Sequence, residues 1–446
     1  MSHSPRHSET LIDTGVPGLD EVLRGGLVRG GLYLLEGSPG AGKTTVALQI
    51  LLAGVRRGER CLYVTLSESE RELGMAAQSH GWSLDGVDIL EILASDESLD
   101  EKARYTMFHP SEVELAETVR TVLAAAERIQ PSLLVFDSLA ELRLLAESPL
   151  RYRRQILALK QHFAGSLCTI IFIEDRTGEY ADMHLHSLAS GVIMLERATA
   201  EYGPMRRRLE VGKFRCRAFL EGAHDFTIKP GGVEVYPRVI CEGRSASYVD
   251  QTLSSGLPEV DALLGGGIAR GTSTLIVGPA GTGKSSLATQ YVHAAVQRGE
   301  HAVQLLFDES IQTMLERSAG LGMDLAPCID SGRLLLRQLD PAQLSPGEFS
   351  SLVRNSVERD KTTVVVIDSL NGYMNAMPSE PYLMLYVHEL LTYLGQQGVS
   401  TLLLLAQQGL LGNVSSPVDA SYLADTVILI RYFEAFGEIR QALSVM

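Results

Sequence analysis

A phosphate-loop motif occurs twice in this chain of 446 residues, and its recurrence limits the possible folds more than any other feature. Residues 37–44 and residues 278–285 both fit Gly-x-x-x-x-Gly-Lys-[Ser/Thr], and Lys43 corresponds to Lys284 at an offset of 241 positions. The flanking segments repeat at the same offset: 14–20 with 255–261, 25–30 with 266–271, and 57–59 with 298–300. Repetition at one fixed spacing indicates two homologous domains in tandem.

The repeat predicts a first domain over residues 1–240, a linker over residues 241–248 and a second domain over residues 249–446. The linker contains Gly and Ser and has no periodic apolar pattern. At roughly 150 residues per domain, the chain has room for two or three domains with their own cores.

Within each copy, short apolar strands alternate with helical segments. In the first copy a strand at residues 32–36 precedes the glycine-rich loop, and a helix is predicted from Lys43 to about Arg56. The other predicted elements are strands at 60–66, 133–136, 169–173 and 192–195 and a helix over 112–129. Continuous apolar strands separated by helices indicate a mostly parallel sheet covered on both faces. The predicted fold class is therefore α/β, twice.

The composition argues against several classes of protein. Lys and Arg number 39 against 54 Asp and Glu, a net charge of −15, so a general nucleic-acid binder is not expected. The five cysteines lie far apart without a Cys-x-x-Cys pair, which argues against a zinc ribbon or a disulfide framework. Residues 1–14 are polar, and apolar runs such as 401–406 are too short to span a bilayer. We expect a cytoplasmic protein without membrane attachment.

Both glycine-rich loops carry the residue types that hold a nucleoside triphosphate. Glycines let backbone N–H groups turn toward a phosphate, and the helix that follows presents its partly positive N-terminus. Lys43 and Lys284 would reach the β- and γ-phosphates, while the hydroxyls of Thr44 and Ser285 would ligate Mg²⁺. The predicted cofactors are thus ATP and Mg²⁺. The predicted ATP-binding residues are Gly37, Ser38, Pro39, Gly40, Ala41, Gly42, Lys43, Thr44 and Thr45, and Gly278, Pro279, Ala280, Gly281, Thr282, Gly283, Lys284, Ser285 and Ser286.

Each copy also has an apolar strand that ends in aspartate. These strands end at Asp137 and Asp368. An aspartate at the carboxyl end of a strand beside the loop can hold the Mg²⁺ shell, whereas a lone one often caps the next helix. Because the residue recurs in both copies, we predict the metal role for both.

Hydrolysis of ATP needs a carboxylate that orients or deprotonates water. After the second strand, Glu68 of the first copy aligns with Glu309 of the second, and Ser67 aligns with Asp308. The same Ser-x-x-Glu pattern fits a helix N-cap with acidic residues in the first turn equally well. The residues by themselves do not separate the two interpretations.

Taken together, these motifs resemble the KaiC branch of the RecA-like ATPases over nearly the whole chain. The matching pieces are the lead-in at 14–20, both glycine-rich loops, both strand-end aspartates, residues 201–204 with the basic run 206–208, and residues 421–429 leading to 431–434. The resemblance implies two tandem RecA-like P-loop NTPase domains. It also implies a two-tiered homo-hexamer with ATP at the subunit interfaces and regulatory protein partners of unknown identity.

The resemblance implies a pair of catalytic carboxylates after the second strand of each domain. Asp308 and Glu309 match that pair, whereas the first copy keeps Glu68 and departs at Ser67. A single carboxylate is compatible with slow hydrolysis in the first domain.

The resemblance further implies a Lys-x-Arg that reaches the γ-phosphate of the neighbouring subunit. Lys213 and Arg215 match it in the first copy, where cations would stabilise transition-state charge. The alternative is an exposed strand with solvated charges. In the second copy the aligned segment stops at Met446, one residue before the Lys-x-Arg would begin. Either the chain is a shortened version of a longer protein or the second domain lacks these cations, so we expect impaired hydrolysis there.

Clock members of the family phosphorylate adjacent hydroxyl residues of their own second domain. Those positions correspond to Ser421 and Tyr422; the serine matches as an acceptor, and the tyrosine departs from the pattern. The resemblance therefore implies serine/threonine autokinase activity at Ser421, and the alternative is an ordinary serine at a helix entry.

The expected function is an Mg-ATP-binding regulatory ATPase that signals through its nucleotide and phosphorylation state. Two alternatives stay open: a DNA-stimulated ATPase of the RecA or RadA type, and a nucleotide-switched scaffold with negligible turnover. The acidic balance argues against the first alternative, and Ser67 favours the second.

Overall fold

The computed structural model describes residues 10–92, 110–146, 148–163, 165–176, 183–199, 203–215, 217–241, 251–340, 342–375, 382–407 and 420–446. The chain forms two compact units, the first from residues 1–199 and 205–238 and the second from residues 200–204 and 239–446. Of the predicted linker, only Cys241 lies among the described residues, so the linker stays a prediction.

The first unit is built from eleven described strands and seven described helices. The strands are β1 Leu11–Ile12, β2 Leu27–Val28, β3 Leu32–Gly37, β4 Cys61–Thr65, β5 Val87–Glu91, β6 Leu133–Asp137, β7 Thr169–Asp175, β8 Gly191–Ala198, β9 Arg206–Phe214, β10 Ala223–Lys229 and β11 Gly232–Tyr236. The helices are α1 Leu19–Val22, α2 Lys43–Arg56, α3 Glu70–Ser79, α4 Pro110–Ile129, α5 Leu139–Ala146, α6 Pro149–Phe163 and α7 Met183–Leu188.

The main sheet of the first unit has nine strands in the order β11-β10-β9-β8-β3-β7-β6-β4-β5. The strands from β8 to β5 run parallel, and β9, β10 and β11 extend the sheet antiparallel. Parallel pairing places the carboxyl ends of β3, β7, β6 and β4 at one edge, where the loops that follow them meet. The loop residues 37–45, Glu68 and Asp137 follow or end these strands, whereas Lys213 lies in β9 and Arg215 follows it.

Alternation along β3 explains why both faces of this sheet are covered. Tyr33 and Leu35 join the core on the α2 side, whereas Leu32 and Leu34 join the core formed with α4, α5 and α6. On α4 the buried residues Leu115, Val119, Val122 and Ala126 recur at helical spacing, so one stripe faces the sheet.

The second unit repeats this arrangement with nine described strands and seven described α-helices. The strands are β12 Thr252–Leu253, β13 Ile268–Ala269, β14 Ser273–Gly278, β15 His301–Leu306, β16 Leu334–Gln338, β17 Thr362–Asp368, β18 Ser400–Ala406, β19 Thr426–Ala435 and β20 Glu438–Val445. The helices are α8 Pro258–Leu263, α9 Lys284–Gln297, α10 Ile311–Gly320, α11 Ala326–Asp330, α12 Pro346–Asp360, α13 Leu370–Asn375 and α14 Leu383–Gln396, with a 3₁₀ turn at Ser421–Leu423.

Its main sheet has seven strands in the order β16-β15-β17-β18-β14-β19-β20, and only β20 pairs antiparallel. Leu275 and Val277 of β14 pack with α12 and α14, whereas Ile276 packs with α9. Both units therefore confirm the predicted α/β class with helices on both faces of a mostly parallel sheet. Within the described part of the chain, no helix is both long and apolar enough to cross a bilayer.

Candidate nucleotide-binding sites

The glycine-rich loop of the first unit connects the central strand β3 to α2. Every residue of β3 is buried, and the chain then turns with positive φ at Gly40 and Gly42 before α2 begins at Lys43. No side chain caps the N-terminus of α2, so its first N–H groups keep the partial positive charge that favours an anion. This geometry is what phosphate binding requires.

The lysine of this loop is largely buried and held by three oxygens. Lys43 is 6% exposed, and its Nζ donates to the carbonyl oxygens of Gly37 at 3.0 Å and Ser38 at 3.1 Å. The same Nζ lies 2.6 Å from Oδ1 of Asp175, the last residue of β7. The ammonium is therefore positioned inside the loop, with a carboxylate as its third partner.

The second unit repeats the loop with a different lysine environment. Gly283 has a φ of 85° and precedes α9, which again has no side-chain cap. Lys284 is 9% exposed, and its Nζ donates to the carbonyl oxygen of Pro279 at 2.8 Å. Burial lowers the pKa of Lys284, against the nearby carboxylate of Asp368, which raises it.

The strand-end aspartates lie beside the hydroxyls that were predicted to share a metal with them. In the first unit Thr44 Oγ1 donates to Asp137 Oδ2 at 3.2 Å, and the Tyr63 hydroxyl donates to the same oxygen at 2.5 Å. Burial raises the pKa of Asp137, although both hydrogen bonds oppose the shift.

In the second unit, burial likewise raises the pKa of Asp368, and a hydrogen bond from Ser285 opposes the shift. One oxygen of this carboxylate, Oδ2, is buried and has no hydrogen-bond partner among the described residues. A hydroxyl next to a buried carboxylate is the kind of oxygen donor set that Mg²⁺ accepts together with phosphate oxygens. The residues present in both units therefore fit Mg²⁺.

Glu68 lies outside the helix cap that the sequence allowed it to join. A capping box does start α3, but Ser69 is its N-cap and Glu72 is its partner. Burial raises the pKa of Glu68, and the charges of Asp137, Glu72 and Asp175 raise it further. The charge of Asp137, which ends β6, therefore acts on the Glu68 carboxyl.

The two acidic residues of the second unit are tied to neighbouring side chains. The Ser369 hydroxyl donates to Asp308, and Arg317 of α10 forms an ion pair with Glu309. Both carboxylates contribute to the raised pKa of Asp368. The position aligned with Arg317 is Ala76 in the first unit, so Glu68 has no equivalent arginine.

Lys213 of β9 and Arg215, which follows this strand, contact the end of α7 in their own unit. Lys213 Nζ donates to the carbonyl oxygen of His186, and Arg215 Nη2 donates to that of Ser187 at 2.6 Å. Lys160 adds a third bond, to the carbonyl oxygen of Leu188, also at 2.6 Å. Burial lowers the pKa of Lys213, and the nearby Arg215 and Lys160 lower it further. These cations complement the negative end of a short helix.

A buried acid immediately before the first loop was not anticipated from the sequence. Glu36 is 2% exposed, and His186 Nε2 lies 3.0 Å and 3.1 Å from its two carboxyl oxygens. The aligned residue of the second unit is Val277, an ordinary core residue. This contact links α7 to the strand that leads into the loop.

The candidate phosphoacceptor lies in the 3₁₀ turn at Ser421–Leu423, which leads into β19. The side chain of Ser421 lies outside the described part of the structure, as do Glu201 and Tyr202 of the resemblance. The neighbouring Tyr422 is 62% exposed. The turn is anchored by Ser273, whose hydroxyl donates to the carbonyl oxygen of Leu423 at 2.7 Å.

Comparison with known proteins agrees with this geometry. A family model described as "ATPase: KaiC" matches residues 12–240 and 253–446. The chain belongs to the KaiC family of ATPases. Membership of this ATPase family implies nucleotide binding, and its RecA-like fold agrees with the two α/β units.

The relatives span most of the chain at low identity. The circadian clock protein KaiC3 of Synechocystis sp. is 25% identical over 446 residues, which cover 98% of this chain and 86% of the relative. The circadian clock oscillator protein KaiC of Picosynechococcus sp. is 25% identical over 440 residues, covering 97% and 84%. KaiC 1 of Synechocystis sp. is 24% identical over 447 residues, covering 99% and 85%.

The Glu36–His186 contact is expected to contribute to the stability of the first unit. His186→Ala leaves the buried Glu36 carboxylate without this partner and should lower the free energy of unfolding of the first unit by about 1–3 kcal/mol. Adding Glu36→Val, which copies Val277, should recover most of the loss. Urea unfolding of the single and double variants measures both effects, and equal stability of His186→Ala and the unaltered protein would contradict the assignment.

Proposed function

We propose that both repeats bind Mg-ATP and that the chain is a regulatory ATPase whose nucleotide state is read by protein partners. One observation carries this proposal: each unit has a buried lysine at the start of an uncapped helix, followed by a hydroxyl that lies beside a strand-end aspartate. These residues are Lys43, Thr44 and Asp137 in the first unit, and Lys284, Ser285 and Asp368 in the second.

Mg²⁺ would be held by Thr44 with Asp137 and by Ser285 with Asp368, and it would neutralise charge on the phosphates. The loop amides and the lysines would orient the triphosphate. The loop residues Gly37–Thr45 and Gly278–Ser286 are the proposed binding surface, as their sequence predicts.

The proposed water-activating groups differ between the two sites. Glu68 would orient or deprotonate the attacking water in the first site, and Asp308 with Glu309 would do so in the second. The raised pKa of Glu68 supports this role, because a base whose pKa is closer to the operating pH accepts a proton more readily. Glu309 is paired with Arg317, so its charge is partly neutralised before any substrate arrives.

The proposed assembly is a homo-hexamer in the cytoplasm with ATP at the subunit interfaces. The particle mass with and without ATP reports the number of subunits. Lys213 and Arg215 would exchange the carbonyl oxygens of α7 for the γ-phosphate of a neighbour's nucleotide. Such an exchange is physically reasonable because Arg215 is exposed and a phosphate binds cations more strongly than a carbonyl does.

The proposal predicts Mg-dependent release of phosphate from ATP, with both lysines contributing. Lys43→Ala and Lys284→Ala should each remove nucleotide binding at one site, because the loop loses its only ammonium. The double variant should bind no ATP in calorimetry and release no phosphate.

The same assay separates the alternative functions. Stimulation of phosphate release by single-stranded DNA would favour a DNA-dependent ATPase, and binding without release would favour a nucleotide-switched scaffold. Failure of the unaltered chain to bind ATP would overturn the proposal.

The raised pKa of Glu68 predicts the pH dependence of the first site. A general base works only when it is deprotonated, and a raised pKa keeps the inactive, protonated form present to higher pH. In a Lys284→Ala background, only the first site binds nucleotide. The pH below which its phosphate release falls should therefore be higher than expected for an exposed glutamate. Glu72→Gln removes a neighbouring negative charge while keeping an amide for the capping box, so it should lower this pH.

Glu68→Gln serves as the control for this profile. It should reduce phosphate release by about 10²–10⁴-fold across the profile, the usual contribution of a general base. Full turnover by Glu68→Gln, or a fall in release at acid pH that Glu72→Gln does not move, would show that another group titrates.

We propose that the second domain transfers the γ-phosphate of ATP to the hydroxyl of Ser421, with loss of ADP. After incubation with Mg-ATP, mass spectrometry should find one added phosphate at Ser421, and none in Ser421→Ala or Lys284→Ala. Tyr422→Phe should leave this modification in place. An unmodified Ser421 in the unaltered protein would contradict the autokinase proposal without affecting the ATPase proposal.

A further inference from the structure

The lysines of the two loops differ in whether a carboxylate is among their partners. Lys43 Nζ lies 2.6 Å from Asp175, whereas Lys284 Nζ donates to a backbone carbonyl. In the first sheet Asp175 pairs with Gly37, the first residue of the loop; in the second sheet the residue that pairs with Gly278 is Ala406. The two positions are therefore structurally equivalent, and only the first carries an acid.

The charge of Asp175 also acts on the other acids at this edge of the sheet. Its negative charge contributes to the raised pKa values of both Asp137 and Glu68. Asp175 therefore brings a negative charge, beside the Lys43 ammonium, to an edge of the sheet that already carries two acids. A nucleotide that enters this site brings further negative charge to the same place.

We propose that Asp175 weakens nucleotide binding at the first site by competing with the phosphates for Lys43, so that the two sites of one chain differ in affinity. This inference rests on the proposed nucleotide binding at both loops. An ammonium has three N–H donors, and in the first unit all three have oxygen partners: the carbonyls of Gly37 and Ser38 and the carboxylate of Asp175. A phosphate oxygen must displace one of them.

The carboxylate is the partner whose displacement matters most. The Lys43 side chain is 7% exposed and that of Asp175 is 32% exposed, so water screens their attraction only in part. Phosphate binding must separate this pair or hold a second anion beside Asp175, and either outcome costs free energy. The second site has no such cost, because it has no acid at the equivalent position. Part of the expected cost is recovered because the released Asp175 side chain can be hydrated.

The test compares matched variants in which only one site binds nucleotide. In a Lys284→Ala background, Asp175→Ala copies the second site, and Asp175→Asn removes the charge while keeping the shape. Titration with a fluorescent, non-hydrolysable ATP analogue and Mg²⁺ should give about tenfold tighter binding in both variants, which corresponds to a partly screened ion pair. The gain should shrink at high salt, because screening weakens the competing pair.

The reciprocal substitution is the control. In a Lys43→Ala background, Ala406→Asp places a carboxylate at the equivalent end of β18 and should weaken binding at the second site by a similar factor. Thermal unfolding of each variant without nucleotide separates this effect from a general loss of stability.

The outcomes distinguish this inference from the function on which it rests. Equal affinity with and without Asp175, at a first site that does bind the analogue, would overturn the competition and leave the ATPase proposal standing. Unchanged affinity with lower turnover in Asp175→Asn would also overturn it, because Asp175 would then act on hydrolysis. Absence of binding in every Lys284→Ala protein, including the Asp175 variants, would instead contradict nucleotide binding at the first loop.

Discussion

The strand before each glycine-rich loop is buried along its whole length, and the loop leads into an uncapped helix. In β3 and β14 the last residue is a glycine, and the loop that follows turns through glycines with positive φ. The N–H groups at the start of α2 and α9 therefore have no side-chain partner and converge on one place. The roles proposed for the other site residues depend on how near they lie to these N–H groups.

Parallel pairing then gathers acids around the loop. Because β3, β7, β6 and β4 run in the same direction, residues that are far apart in the chain end at the same edge. Asp137 ends β6, Asp175 ends β7, and Glu68 follows β4. Burial raises the pKa of Asp137 and of Glu68, and the charge of Asp175 raises both further.

The two units surround equivalent glycine-rich loops with different side chains. In the first unit one acid is paired with the loop lysine, and the buried Glu36 is bonded to His186. The second unit has Ala406 in place of that acid and Val277 in place of Glu36. The second has Arg317 beside its glutamate, where the first has Ala76. Since the backbones follow the same α/β plan, these substitutions are what gives each site its own electrostatics.

Local signals in the sequence were sufficient for much of the fold. The glycine-rich loops, the helix from Lys43 to Arg56 and the α/β class follow from motif spacing and apolar periodicity within each copy, because these features depend on near neighbours. The pattern around Glu68 was ambiguous, since a cap needs only one of two nearby serines. Ser69 rather than Ser67 is the N-cap of α3.

The amino-acid sequence alone thus determined two tandem phosphate loops, the strands that carry them and the set of acids that follow those strands. Tertiary structure decided which of these groups meet. Lys43 pairs with Asp175, 132 positions later in the chain, only because β7 lies next to β3 in the sheet. Likewise, Glu36 meets His186 only where α7 passes the end of β3. Strand order and register are set by the packing of the whole unit, so no local pattern encodes such contacts.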